Sequence, residues 1–178
     1  MTRLSRLVLF ASLALGASAQ GALAAQVYAN VFLATPDGPS AAVGSVILKD
    51  SAAGATLLLH LHGLPPGEHG FHEHHNGSCD VGMKDGMPVP AGKAGGHEDP
   101  GMTGKHEGPA GMGHLGDLPA LTVAPDGTDS ETLLAPRIKD VTALIGHAVV
   151  IHAGGDNYSD LPAPLGGGGA RIACGLVQ

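Results

Sequence analysis

The sequence predicts an all-β protein, built as a sandwich or a barrel of short strands. Three observations favour this fold class: short runs of β-branched and apolar residues, turn residues between the runs, and no sustained helical period. Charged residues make up only 14% of the 178 residues and glycine contributes 29 of them, which is unlike a helical bundle. The length suffices for one domain with a real core.

The predicted strands follow one another at short intervals along the chain. Two of the turns have a defined chemistry, because Pro-Asp-Gly at 36–38 and at 125–127 joins a proline that presets φ to a glycine that accepts a positive φ. The segment 144–150 fits either a strand or a helix. The strands are predicted at 26–33, 43–49, 55–61, 120–123, 131–134, 148–152 and 170–177.

Residues 1–25 are predicted to be a secretory signal peptide, which leaves 26–178 as the mature domain. Arg3 and Arg6 precede a short apolar run, and small residues with an A-x-A cleavage pattern follow it. The apolar run is too short to span a bilayer comfortably, and no later stretch of the sequence qualifies as a membrane span. The sequence therefore predicts export.

Composition excludes several classes of function. The net charge of −7, which becomes −9 when Arg3 and Arg6 leave with the leader, and an aromatic content of 3% argue against a nucleic-acid partner. In an oxidising compartment Cys79 and Cys174 can form one disulfide, and two buried thiols are the alternative. Eleven histidines in a small acidic chain point first to metal ligation.

The segment 82–116 departs from the strand pattern. It contains eleven glycines and few large apolar residues, and a segment of this length without strands is either disordered or functional. His97, His106 and His114 lie in it and Asp117 follows, which together match a closed tetrahedral zinc site. A metal would supply the ordering energy that the loop lacks. The alternative is a flexible loop with solvated histidines.

Two His-x-His pairs have the spacing of a strand face. Because alternate strand residues share a face, His72 and His74 can reach one metal, and His152 ends another apolar strand. His60 and His62 have the same spacing and are interpreted as the solvent face of a half-buried strand. One such pair with a distant histidine also fits a zinc hydrolase or hydratase, which would leave the loop histidines and the aspartates unexplained.

Seven motifs occur in a fixed order: HGFHEH at 69–74, SC at 78–79, GGH at 95–97, TGKH at 103–106, GHLGDL at 113–118, HAVVIHAGGDNYSD at 147–160 and GGGGARIACG at 166–175. Together they resemble the copper,zinc superoxide dismutases, in the form that bacteria export to the periplasm. The resemblance covers essentially the whole mature chain. Glu73 is a departure, because the family usually has an apolar residue there, and its side chain is expected to point away from the metal.

The resemblance implies a fold and a set of site residues. The fold would be an eight-stranded antiparallel Greek-key β-barrel, an immunoglobulin-like sandwich with long metal-binding and active-site loops. Asp156 would link a ligand of each metal, Arg171 would dock the anionic substrate, and Cys79 and Cys174 would form the family's disulfide. His97 would bridge both metals, since the copper ligands fall on His72, His74, His97 and His152, and the zinc ligands on His97, His106, His114 and Asp117.

The implied activity is the disproportionation of superoxide to oxygen and hydrogen peroxide, an antioxidant function with catalytic roles for His97 and Arg171. Copper would change oxidation state while zinc holds the shared ring. A homodimer and a monomer are both compatible with the resemblance. The alternative is a non-catalytic exported copper/zinc-binding protein on the same fold, which would need no anion-docking arginine.

The other histidines and the methionines are expected to have structural roles. His69 should make a structural hydrogen bond, whereas His75 and His147 should be exposed. The four methionines of the mature chain lie in or beside the glycine-rich segment and are expected to fill gaps rather than to capture copper. They are Met83, Met87, Met102 and Met112.

Overall fold

The computed structural model describes residues 24–178. The predicted signal peptide therefore lies outside the described residues, except for its last two. The described chain contains eleven β-strands and three short 3₁₀ turns, so the all-β prediction is confirmed. None of the helical turns in residues 24–178 has the length and apolar character needed to cross a membrane. The strands are β1 (Gln26–Thr35), β2 (Gly38–Ser51), β3 (Gly54–Leu61), β4 (Gly67–His69), β5 (Phe71–His74), β6 (Gly82–Lys84), β7 (Met87–Val89), β8 (Leu121–Val123), β9 (Thr132–Ala135), β10 (Ala148–His152) and β11 (Arg171–Val177).

The strands form one curled antiparallel arrangement. Seven of them pair in the order β5-β10-β11-β1-β2-β3-β9, and β4 pairs with β8. Only Gly70 separates β4 from β5, so these two continue one another. Apart from the small β6–β7 hairpin, eight strands remain, and this arrangement is the predicted eight-stranded Greek-key barrel. The segment 124–131 joins β8 to β9, which lie at the two ends of the strand order.

The predicted strands are all present, with boundaries that agree except at β2 and around residue 144, whereas β4 to β7 were not among the predicted strands. β2 begins directly after the turn at 36–37, five residues before the apolar run, because its first residues are polar or small and exposed. The ambiguous segment 144–150 is split, since the 3₁₀ turn Val141–Leu144 ends before β10 begins. Burial in β1 alternates, with Val27, Ala29 and Val31 buried in the core.

The two faces of β5 and β10 meet different surroundings, and this positions the site. Phe71, Val149 and Ile151 pack in the main hydrophobic core inside the barrel. Val150 faces the other way and packs against Cys174 in a smaller cluster. His72 pairs directly with Val150, so the histidines of β5 lie on the outer wall of the barrel.

A disulfide connects the long loop to the last strand. Cys79 and Cys174 are bonded, with an S–S distance of 1.99 Å, which confirms the predicted pairing. The segment 82–116 contains the β6–β7 hairpin and the 3₁₀ turn Gly92–Ala94, and the rest of it is irregular. The disulfide therefore holds this segment against the barrel wall that carries the histidines.

Candidate metal centre

Four buried histidines converge on the outer wall of the barrel. His72 and His74 lie on β5, His152 ends β10, and His97 comes from the long loop. Each offers a ring nitrogen, and these four nitrogens lie within 4.8 Å of one another. One nitrogen of every ring is buried without a hydrogen-bond partner among residues 24–178. Such unsatisfied groups cost free energy, so the set fits a cation that all four rings ligate.

Backbone carbonyls fix two of these rings. Nδ1 of His74 donates to the carbonyl of Gly95 at 3.0 Å, and Nδ1 of His152 donates to the carbonyl of Gly169 at 3.1 Å. A nitrogen that donates carries the proton, so in both rings Nε2 presents its lone pair. Nε2 is also the nitrogen that has no partner in each ring.

A second set of ligand atoms surrounds one carboxylate oxygen. Oδ1 of Asp117 lies 2.9 Å from Nδ1 of His97, 2.9 Å from Nδ1 of His106 and 3.3 Å from Nδ1 of His114. Four ligands at about 2.0 Å from a tetrahedral ion are about 3.3 Å apart. The observed separations therefore leave these atoms close to where a zinc-sized ion would hold them.

His97 belongs to both sets. Its Nδ1 faces Asp117, and its Nε2 is buried without a partner. The ring stacks on that of His72, with a centroid distance of 4.0 Å. One imidazole therefore presents a nitrogen to each set, which is the geometry required of a ring that bridges two ions.

Asp156 links the two sets by contacting one histidine of each. Its Oδ2 lies 2.7 Å from Nε2 of His72, and its Oδ1 lies 2.7 Å from Nε2 of His106. The backbone N–H of Tyr158 also donates to Oδ1, at 2.8 Å. A buried carboxylate of this kind orients both rings and raises their basicity toward a metal.

The charges of the site follow from burial and from the two carboxylates. Burial lowers the pKa of His97 to about 4 and that of His152 to about 3, so these imidazoles are neutral, which is the form that binds metals. Burial acts in the same direction on His106, but hydrogen bonds to Asp117 and Asp156 outweigh it and raise its pKa to about 9. An ion bound to Asp117 would replace that proton.

A cavity of about 360 Å³ opens onto the first set of histidines. Arg171 lines it, and its guanidinium donates to the carbonyl of Ala91 from Nη1, at 2.6 Å, and to that of Gly95 from Nη2. Burial lowers the pKa of Arg171, but a guanidinium keeps its charge in proteins. The cavity is also lined by His74, Lys84, His97, His152 and Leu165.

Residues 42–177 match the family described as copper/zinc superoxide dismutase (SODC), which is more than half of the chain. The chain belongs to this family. It is 52% identical over 158 residues to Cu-Zn superoxide dismutase 2 of Salmonella typhimurium, which covers 89% of this chain and 91% of the relative. It is 49% identical over 160 residues to the Cu-Zn superoxide dismutase of Escherichia coli, covering 90% and 92%.

Solved structures of copper/zinc superoxide dismutases have the same fold. The enzyme from Brucella abortus superposes with a TM-score of 0.85 at 47% identity, over 86% of this chain and 100% of that one. The monomeric enzyme from Salmonella enterica superposes with a TM-score of 0.78 at 51% identity, over the same shares. Copper and zinc are the metals of this family, and the two ligand sets fit them in donor chemistry.

The structure confirms one expectation about residues outside the superoxide dismutase ligand sets and corrects two. His69 does make structural hydrogen bonds, to the carbonyls of His152 at 2.7 Å and Pro65 at 2.8 Å. His147 is not exposed, however, because it is partly buried against Glu73. The four methionines of the described chain do not fill gaps, since their exposed fractions run from 67% to 90%.

Sequence reasoning missed the groups that hold the ligands in place. The carbonyls of Gly95 and Gly169 carry no signal in the sequence, because every residue has one. Asp160 accepts from the backbone N–H of His106 at 3.0 Å and from that of Leu165 at 3.2 Å, so it joins the long loop to the loop before β11. Its place in the motif at 147–160 was the only available signal.

Proposed function

We propose that copper binds to His72, His74, His97 and His152 and zinc to His97, His106, His114 and Asp117, in a chain that disproportionates superoxide to oxygen and hydrogen peroxide. The observation that supports this assignment most strongly is the shared ring of His97, with one nitrogen toward each set. Four imidazoles suit copper in both of its oxidation states, and three imidazoles with a carboxylate suit zinc.

Copper, when bound, supplies one-electron chemistry to two superoxide ions in turn, while zinc has no redox chemistry and acts on structure and charge. The protein's part in proton transfer falls to Nε2 of His97. Nε2 has no hydrogen-bond partner among the described residues and its ring lines the cavity, so whenever this nitrogen does not ligate an ion it can take a proton from water and later give it to the peroxide product. Nδ1 of His97 and Asp117 belong to the same proposed zinc set, so an ion held between them would keep the ring oriented.

Arg171 is proposed to dock the anion. A guanidinium has five N–H donors, of which two are used on the carbonyls of Ala91 and Gly95, so three remain for superoxide. These two hydrogen bonds also keep the charge at the cavity. The chain as a whole is acidic, and a local positive charge dominates only within the Debye length of about 8 Å.

The direct test measures superoxide consumption by the purified protein, with copper and zinc quantified per chain. We expect Arg171→Ala to lower the rate about 10- to 100-fold at unchanged copper content, and Arg171→Lys to recover part of the rate. A chain that holds both metals and consumes no superoxide would support the alternative, a non-catalytic metal-binding protein. Parallel losses of copper and activity in Arg171→Ala would contradict the docking role.

Export, processing and assembly complete the proposal. The leader-like composition of residues 1–25 supports export to the periplasm, with 26–178 as the mature domain, and mass spectrometry of the periplasmic protein tests both. Every proposed ligand comes from one chain, and the Salmonella enterica relative is monomeric, which supports a single chain as the working unit. The homodimer stays a prediction that the mass in solution decides.

A further inference from the structure

A second cluster of histidines and carboxylates lies on the opposite face of β5 from the metal centre. Glu73 alternates with His72 and His74, and its side chain, 1% exposed, points to the end of the barrel core. Its Oε1 accepts a hydrogen bond from Nδ1 of His147 at 2.6 Å. Its Oε2 is buried and has no hydrogen-bond partner in the described part of the chain. The carboxylate is thus only half satisfied.

A second histidine–carboxylate pair adjoins the first. Nδ1 of His75 lies 2.9 Å from Oε2 of Glu98, and the ring centroids of His75 and His147 are 6.2 Å apart. The backbone N–H of Glu98 donates to the carbonyl of Glu73 at 2.9 Å, so the two acidic residues are neighbours across the strand edge.

The four side chains are arranged with the acids inside and the imidazoles outside. The side chains of Glu73 and Glu98 are 1% and 12% exposed, whereas those of His147 and His75 are 24% and 69% exposed. Two neighbouring carboxylates of low exposure repel each other unless a positive charge lies between them. The arrangement therefore offers a cation one buried and one partly buried carboxylate, with an imidazole hydrogen-bonded to each.

We propose that Glu73, His75, Glu98 and His147 form an outer site for a divalent transition-metal cation, with zinc as its simplest occupant. Two imidazoles and two carboxylates suit Zn²⁺, whereas Mg²⁺ and Ca²⁺ prefer oxygen ligands alone. Among the described residues the ligand sets that already converge belong to the metal centre. The outer site closes when the exposed ring of His75 turns toward Oε2 of Glu73 and draws the two pairs together.

Binding at this outer site would change the stability of the fold. An ion there would cancel the repulsion between the two carboxylates. It would also link Glu73 on β5 and His147, which precedes β10, to Glu98 in the long loop. Zinc in excess of the inner sites should therefore raise the thermal unfolding temperature.

The test is a zinc titration of protein that already holds one copper and one zinc per chain, followed by gel filtration and a metal count. We expect a third metal ion in the parent and in the control variant His60→Ala/His62→Ala, whose His-x-His pair is exposed on β3 and just beyond it. We expect no third ion in His75→Ala/His147→Ala. Magnesium in place of zinc should add no ion.

The single variant His75→Ala distinguishes a loss of metal binding from a folding defect, because this side chain is 69% exposed and its removal should not disturb the fold. We expect it to bind the third ion more weakly while its unfolding temperature without added zinc stays that of the parent. A parent that retains only two ions, or a third ion that survives His75→Ala/His147→Ala, would overturn the proposal. Loss of the third ion in His60→Ala/His62→Ala would assign it to that pair instead.

Discussion

The two faces of strand β5 bury polar side chains in different ways. On the outer wall, His74 anchors one ring nitrogen on a carbonyl and His72 anchors one on Asp156, and both keep the other nitrogen free. On the face toward the core, Oε1 of Glu73 accepts a hydrogen bond from His147, and Oε2 has no partner among the described residues. The first arrangement leaves lone pairs that converge on a point, and the second largely neutralises itself.

The comparison shows what distinguishes a preformed metal centre. A count of histidines does not, because His75 and His147 also lie close together, in a cluster whose ligand atoms do not yet converge. The mark is a set of rings that are each anchored at one nitrogen, are buried, and direct the remaining nitrogen at a common position. The cost of those free nitrogens has to be met by an ion.

The largest expected effect follows from removing both metals. The free nitrogens of the outer wall would then stay buried and unsatisfied, and the glycine-rich loop would lose its main source of order. We expect the free energy of unfolding to fall by about 4 kcal/mol or more, which lowers the unfolding temperature by roughly 10 °C. Calorimetry of metal-free and reloaded protein measures this. Equal unfolding temperatures would show that the two faces do not differ as described.

The next effect concerns the hydrogen-bonded pair of Glu73 and His147. His147→Leu would leave the buried carboxylate of Glu73 alone, and breaking a fully buried pair costs about 3–5 kcal/mol. Burial already raises the pKa of Glu73 to about 7, so uptake of a proton limits the expected cost to about 2–3 kcal/mol. Urea unfolding of the metal-free protein measures it.

The matched control for that pair replaces both partners by apolar residues. Glu73→Val with His147→Leu leaves no stranded charge, and we expect a stability within about 1 kcal/mol of the parent. If the double variant were as unstable as His147→Leu alone, packing rather than charge would explain the loss.

A smaller effect, on metal affinity, distinguishes Asp156, which contacts both ligand sets, from Glu73 on the other face of β5. Asp156→Asn removes the charge that orients a ring of each ligand set, and we expect the affinities for copper and zinc to fall about 10- to 100-fold together. Glu73→Gln keeps an acceptor for His147 and should leave both affinities unchanged. Competition with chelators of known affinity measures them. A fall in only one of the two would contradict the linking role of Asp156.

The smallest effect concerns charge at the cavity. Lys84 lines the cavity, whereas Lys93 lies beside Asp80 at 3.3 Å with both side chains exposed. We expect Lys84→Ala to slow superoxide consumption about two- to threefold at low ionic strength and little at high salt, and Lys93→Ala to have less effect. Rates measured over a salt series test this. Equal effects of the two substitutions would contradict a local origin of the attraction.

Much of this architecture could be predicted from the sequence, because strand and turn signals are local. The turns at 36–38 and 125–127 and the strand at 148–152 follow from a few neighbouring residues. The residues of the metal centre followed from ordered motifs, since the family resemblance supplied contacts between distant segments that spacing alone does not.

The rest depended on tertiary contacts that no local pattern contains. The carbonyls that anchor His74 and His152 belong to glycines 21 and 17 residues away. His147 was expected to be exposed, because its partner Glu73 lies 74 residues earlier and pairing between them depends on the register of β5 on β10. The methionines were expected to fill gaps, but all four are largely exposed, and the buried apolar residues of their loop are the small side chains of Ala91 and Ala94.

The most direct test of the account is anomalous diffraction at the copper and zinc absorption edges from crystals that hold both oxidised copper and zinc. We expect a copper peak bounded by nitrogens of His72, His74, His97 and His152, and a zinc peak at His97, His106, His114 and Asp117. The ring of His97 should touch both ions. A ring that touches one ion or neither would contradict the shared imidazole on which the proposed function depends.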